Sequence, residues 1–193
     1  YDATQGQVLM NGIDIRQLSQ AELRSHLGVV PQKALLFDGT VASNLQYGKP
    51  DATEEEMWHA LEVAQGKDFV SAMPQGLESS ISQGGTNVSG GQRQRLAIAR
   101  AIIRRPDVYI FDDSFSALDF KTDAKLRQAL SHETKNAAVL IVAQRVTTVL
   151  NADRIVVLDE GKVAGIGTHK ELMESCQVYK EIVLSQLSAE EVA

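Results

Sequence analysis

The stretch Asn87-Val88-Ser89-Gly90-Gly91-Gln92, continued by Arg93-Gln94-Arg95 and an apolar-periodic run, decides how this chain is read. The run predicts a helix from about Gln92 to Arg104, stopped ahead of Pro106 because proline disfavours a helical residue before it. A helix N-terminus exposes unpaired backbone N–H groups and about half a positive charge, so it favours an anion. Gly90 and Gly91 let backbone approach a phosphate with no Cβ in the way. Ser89 and Gln92 add side-chain donors. Alone, the segment reads equally as a capped helix behind a glycine-rich loop.

Further along, Val108-Tyr109-Ile110-Phe111-Asp112-Asp113 is an apolar strand that opens onto two carboxylates. In nucleotide hydrolases an Asp at such a strand end holds Mg²⁺, because a hard cation takes oxygen ligands. An isolated Asp pair, however, more often just begins a turn. Ser116-Ala117-Leu118-Asp119 follows before a helix over about 122–131, and by itself it says only that the helix is capped.

Working outward, Gln7–Met10, Asn11-Gly12 and Ile13–Ile15 predict a hairpin. Leu27–Val30 predicts a strand, and the pattern turns helical from about Lys33 to Leu77. Within that region Thr53 and Glu56 form a capping box ahead of a helix over 54–63. Ser79–Gly91 has no periodicity and reads as a loop. Continuous apolar runs at 108–111, 139–142 and 154–158, separated by helices, predict a parallel sheet covered on both faces. Gly161-Lys162 makes a turn, and 171–187 predicts one amphipathic helix with Leu172, Cys176, Tyr179 and Val183 on its stripe. The fold class is α/β with a helical insertion between about residues 33 and 90.

Composition excludes several functions. The 193 residues are 44% hydrophobic and carry a net charge of -6, so no basic excess exists to drive binding to a nucleic acid backbone. One cysteine, Cys176, supports neither a disulfide framework nor a cysteine zinc site. The longest apolar run, Ala137–Ala143, falls far short of the roughly 20 residues that span a bilayer.

Together and in this order the segments resemble the nucleotide-binding domain of ATP-binding cassette (ABC) transporters. Asn87–Gln92 is similar to the family signature, Val108–Asp112 to its Walker B strand and Ser116–Asp119 to its D-loop. Val29-Val30-Pro31-Gln32 with Leu36-Phe37 resembles the Q-loop. Ser80–Gly85 sits where exporters of the family carry an X-loop, with Gln83 in place of Glu, and Gly161–Val163 with Gly167–Leu172 resembles the C-terminal pattern. The resemblance implies a P-loop NTPase (RecA-like) parallel-sheet core with an α-helical subdomain. Residues 1–32 would hold a β-subdomain or core remnant and the Q-loop, 33–90 the helical subdomain, and 91–193 the signature helix, Walker B, D-loop, switch region and C-terminal helix. It implies ATP and Mg²⁺ as cofactors, with Asp112 and Gln32 toward Mg²⁺. Ser89, Gly90, Gly91 and Gln92 would bind the partner's ATP, and Asp119 would act in the D-loop.

Three departures shape the functional expectation. No G-x-x-x-x-G-K-[ST] occurs among the 193 residues. The chain is therefore expected to be an N-terminally truncated domain, incomplete at its core, exposing its sheet and inactive alone. Asp113 stands at the position of the family's catalytic Glu, one methylene or about 1.5 Å shorter in reach. Gln144, in Val142–Thr148, stands at the position of the switch histidine, and its amide can hydrogen-bond a phosphate without titrating. His26, His59, His132 and His169 all lie elsewhere and read as surface or capping residues. Since each ATP in the family lies between two such domains, Asp113 and Gln144 weaken this chain's own site while the intact signature serves the partner's.

The pattern resembles the degenerate-site subunit of a heterodimeric multidrug exporter. That implies a different nucleotide-binding subunit as partner, a transmembrane domain fused upstream, small amphipathic substrates, no nucleic acid partner, and a place on the cytoplasmic face of the cell membrane. A homodimeric exporter or importer with a working Asp113 is the alternative. A DNA-maintenance cassette protein ranks below both, because the helical region has no sustained heptads.

Overall fold

A computed structural model describes residues 2–186, in two compact units that divide between Leu140 and Ile141. The first unit opens with a hairpin, β1 (Leu9–Met10) and β2 (Ile13–Asp14). Asn11 and Gly12 turn it with φ of 50° and 81°, the positive pair that a two-residue hairpin turn requires. Helix α1 (Gln20–Ser25) follows, capped by Ser19. Strand β3 (Leu27–Val30) comes next.

The helical layer contains α2 (Val41–Gln46), α3 (Glu54–Val63) and α4 (Lys67–Ser71). Thr53 and Glu56 form the expected capping box on α3. The segment read as a loop holds more order than expected. Strand β4 (Gly39–Thr40), ahead of α2, pairs antiparallel with β5 (Ser80–Ile81), and a 3₁₀ turn over Gln83–Gly85 follows. Two-residue strands are too short to show a period of two, so sequence alone does not reveal them.

Helix α5 (Gly90–Ile103) is the centre of the first unit. Leu96, Ala97, Ile98, Ala99, Ile102 and Ile103 are buried, and α5 packs on α2, α3 and β3. The chain then enters β6 (Val108–Asp112), parallel to β3 in the register Val30 to Phe111. Helix α6 (Phe120–Glu133) leads to β7 (Ala138–Val142), and the sheet order is β3-β6-β7. The mixed α/β architecture with a parallel pair at its centre agrees with the sequence reading. The expected cover on both faces does not: Val29 is 54% and Leu140 55% exposed, whereas Val30, Tyr109 and Phe111 are buried. Among the described residues β3 and β6 are covered on one face, and β7 is exposed on both, with Val139 and Val142 open to solvent beside Leu140.

In the second unit, β8 (Ile155–Asp159) and β9 (Lys162–Gly167) form an antiparallel hairpin. The run 154–158 was expected in the parallel sheet. Its immediate neighbour captures it instead, through a turn at Glu160 and Gly161 with φ of 46° and 77°. Val156 and Leu158 point outward, 53% and 64% exposed, while Ile155 and Val157 pack inward.

The expected single helix over 171–187 is two helices, α7 (His169–Ser175) and α8 (Gln177–Gln186), and Leu187 lies outside the described residues. Cys176 takes an extended conformation at the break. The bend brings Leu172, Cys176, Tyr179 and Val183 into one core with Val146, Ile155 and Val157. Gly165 is needed there, because a Cβ would lie 2.9 Å from Leu172 and 3.0 Å from the Cys176 sulfur.

Two outcomes follow from this packing. Phe111 lies fully buried between the rings of Tyr109 and Phe115, at centroid distances of 6.0 and 5.2 Å. Phe111→Ala should cost about 3–5 kcal/mol in urea unfolding, and a loss under about 1 kcal/mol would show that this core is not cooperative. Asp119 caps α6 by accepting from the Thr122 N–H at 2.9 Å and the Thr122 hydroxyl at 2.7 Å, which holds its carboxyl below the ordinary value. A lowered folded pKa adds stability above the unfolded value of about 3.9 and loses it as pH falls through the folded value. Asp119→Asn should therefore melt below the wild type at pH 6, with the gap closing toward about pH 2.

Candidate functional site

The ends of β3 and β6 carry the acidic residues singled out above. Asp112 is exposed at the last position of β6. Asp113 then takes a left-handed conformation with φ of 44°, which Asp adopts more readily than most residues because its short side chain bonds locally. The Gln32 amide donates to Asp113 Oδ2 at 3.0 Å, so these two candidates from distant parts of the chain meet. Ser114 is fully buried, and its hydroxyl donates to the Val30 carbonyl at 2.8 Å, stitching the two strand ends together. The Ser116 hydroxyl donates to the Asp113 carbonyl at 2.8 Å and tightens the turn that follows.

The signature-like segment leads into the first turn of α5. Ser89 Oγ accepts from the Gln92 N–H at 3.2 Å, and Gln92 Oε1 accepts from the Ser89 N–H at 2.9 Å, which makes a capping box. Both side chains act as acceptors in the box, so the Ser89 hydroxyl proton and the Gln92 amide protons are left to offer an anion. Gly91 lies against the D-loop-like segment, where a Cβ would stand 3.4 Å from the Ala117 carbonyl oxygen. Asp119 closes that segment, and both its oxygens serve the α6 cap.

Arginines on α5 fix its direction. Arg93 donates to the Gly84 carbonyl at 3.0 Å and Arg95 to the Gln65 carbonyl at 2.6 Å, with the Arg95 guanidinium 4.7 Å from the centre of the Phe69 ring. Arg100 donates to the Leu35 carbonyl at 2.9 Å over the ring of Phe37. Burial lowers the pKa of Arg95 and Arg100 below the usual arginine value. In the X-loop-like segment, Gln83 Oε1 accepts from the Asp38 N–H at 3.3 Å, and the Asn87 amide donates to the Ser80 carbonyl at 2.8 Å.

Gln144 belongs to the second unit. It is exposed, and its backbone carbonyl accepts from the Gln186 amide at 2.8 Å. The structure thus brings together Gln32 with Asp113 and Gly91 with Ala117-Leu118.

Sequence reasoning passed over Ser114, Gln94 and the three arginines. Gln94, flanked by Arg93 and Arg95, reads as one of three polar surface residues. A signal existed, however: Gln94, Ile98 and Ala101 share one helical stripe, and all three are buried.

Among the described residues no group of three or more His, Cys, Asp or Glu forms a metal cage. Asp112 and the Gln32 amide oxygen nevertheless suit Mg²⁺, which is usually held by one or two carboxylates together with substrate phosphates. Also among the described residues, no helix is long and apolar enough to cross a membrane.

Comparison with known proteins agrees with this geometry. The family described as ABC transporter matches residues 1–116. An uncharacterized ABC transporter ATP-binding protein of Mycobacterium tuberculosis is 51% identical over 189 residues, covering 96% of this chain and 32% of that protein. The ATP-dependent lipid A-core flippase of Francisella tularensis is 41% identical, covering 97% of this chain and 31% of the flippase. A solved bacterial Atm1-family ABC exporter with ATP bound superposes with a TM-score of 0.91 at 35% identity, over 94% of this chain and 32% of that one. The chain spans about a third of the length of the relatives it matches. The sequence motifs, the α/β core and these matches agree on one conclusion: the chain belongs to the ABC transporter family and has the P-loop NTPase fold of its nucleotide-binding domain.

Proposed function

We propose that this chain is the ATP-binding part of an ABC exporter, with a degenerate ATP site of its own and a signature that completes a partner's site. The observation that carries the reading is the Gln32–Asp113 contact at 3.0 Å. It ties the Q-loop-like glutamine to an aspartate at the position where the family has glutamate. When bound between two such domains, ATP with Mg²⁺ supplies a phosphoryl group whose hydrolysis can drive a conformational change.

The chain's own residues have separable tasks in this reading. Asp112 and the Gln32 amide oxygen hold the cation. Asp113 orients the attacking water, but its carboxylate stops about 1.5 Å short of a glutamate's reach, and a misplacement of about 1 Å costs on the order of 100-fold in rate. Gln144 hydrogen-bonds the phosphate without titrating. Ser89, Gly90, Gly91 and Gln92 present the first-turn N–H groups of α5 and their side-chain donors to the partner's nucleotide. Asp119 supports the D-loop through its helix cap.

The exporter reading rests on the names of relatives, a lipid A-core flippase and an Atm1-family exporter. The proposal extends to small amphipathic substrates, a transmembrane domain upstream and a different nucleotide-binding subunit as partner. It also places the chain at the cytoplasmic face of the cell membrane. The division proposed for the chain is 1–32, 33–90 and 91–193, and the chain alone is proposed to be inactive.

In the full-length transporter with the partner's site blocked, Asp113→Glu combined with Gln144→His should raise ATP turnover at this chain's own site at least about tenfold, the size expected when a misplaced group is restored. Unchanged turnover would overturn the degenerate site. If Asp113→Asn abolished all turnover in the wild-type background, the homodimeric alternative would take its place.

A further inference from the structure

We infer that Gln94 is a positioning residue that links the signature helix α5 to Gln32 and, through it, to Asp113; the inference rests on the site proposed above. Gln94 lies two residues beyond Gln92, in the same rigid helix, and is 2% exposed. Its amide donates to the Pro31 carbonyl at 3.3 Å. Proline has no N–H and a fixed φ, so a bond to its carbonyl holds the backbone immediately before Gln32. Gln32 then reaches Asp113 Oδ2 at 3.0 Å.

A second bond closes the circuit. Ser114, directly after Asp113 and fully buried, donates to the carbonyl of Val30, directly before Pro31, at 2.8 Å. The segment Val30–Gln32 is therefore held from both sides, by α5 through Gln94 and by the end of β6 through Ser114. A shift at the first turn of α5, where the partner's nucleotide would sit, moves the anchor of Gln32 with it. Breaking the Gln94 bond would leave a buried amide without its partner, so the link favours moving as a unit. The physical content of such a coupling is non-additivity between Gln94 and Gln32, which a double-mutant cycle measures.

The test uses the full-length transporter with its partner. It reads the Mg²⁺ midpoint for photolabelling of this subunit by 8-azido-ATP, which requires no turnover at the site. Gln94→Met keeps the side-chain length and removes the donor. It should raise the midpoint about tenfold, as Gln32→Ala does, and the double variant should rise no further, because Gln94 acts only through Gln32. A midpoint unmoved by Gln94→Met, with only a lower melting temperature, would reduce Gln94 to a core residue and overturn the inference. Effects that multiply in the double variant would overturn it as well. If Gln94→Met does not assemble, Ser114→Ala enters the same cycle from the other side of Val30–Gln32. Non-additivity with Gln32→Ala is then expected, and multiplying effects overturn the inference. Gln32→Ala without effect on the midpoint would instead count against Gln32 as part of the nucleotide site, and so against the proposed function itself.

Discussion

The burial of α5 is the constraint on which the first unit depends. A 14-residue helix passes through the core with most of its length hidden, yet its first turn stays exposed to present Ser89 and Gly90. Burial of one side of the helix is ordinary hydrophobic packing of Leu96, Ile98 and Ile102. The orientation is set by polar contacts. Arg93, Arg95 and Arg100 each donate to the carbonyl of a connecting segment, Gly84, Gln65 and Leu35. These segments lack regular ladder partners at those carbonyls, and a guanidinium on an apolar stem can reach them while its methylenes stay packed. The connections of the helical layer are thereby fastened to the helix that carries the signature.

The same helix reaches the acidic end of the sheet. Strands β3 and β6 are paired with each other only to Val30 and Phe111, and Gln32 and Asp113 lie beyond that ladder. Side chains hold the chain there. Ser114 and Gln94 hold the Val30–Gln32 segment, while Ser116 and Gln32 hold Asp113. The frame around Asp113 is thus fixed by bonds of definite length, and the proposed effect of a side chain one methylene shorter than glutamate rests on that frame.

Much of this was legible in the residues. The capping box at Thr53 and Glu56, the Asn11-Gly12 hairpin and helix α5 stand close to where local pattern puts them, because each is governed by contacts within a few residues. The pairing of 154–158 was not legible. A continuous apolar run is compatible with a buried parallel strand, and only the adjacent β9 decides that its alternate side chains stay exposed. The break at Cys176 was hidden for a similar reason: Leu172, Cys176, Tyr179 and Val183 fit one helical stripe, and the bent pair α7–α8 brings the same four residues into one core.

In the candidate site the division is sharper. By itself the sequence determined which residue types stand in the segments that resemble the signature, the Walker B strand and the switch region, Asp113 and Gln144 among them. Identity and order along the chain suffice for that. Only the tertiary structure decided that Gln32 reaches Asp113 across 81 positions, and that Gln94 and Ser114, unremarkable in the sequence, are the buried donors beside them. A hydrogen bond depends on distance and direction between groups remote in the chain, and those exist only once the strands have paired and α5 has packed on them.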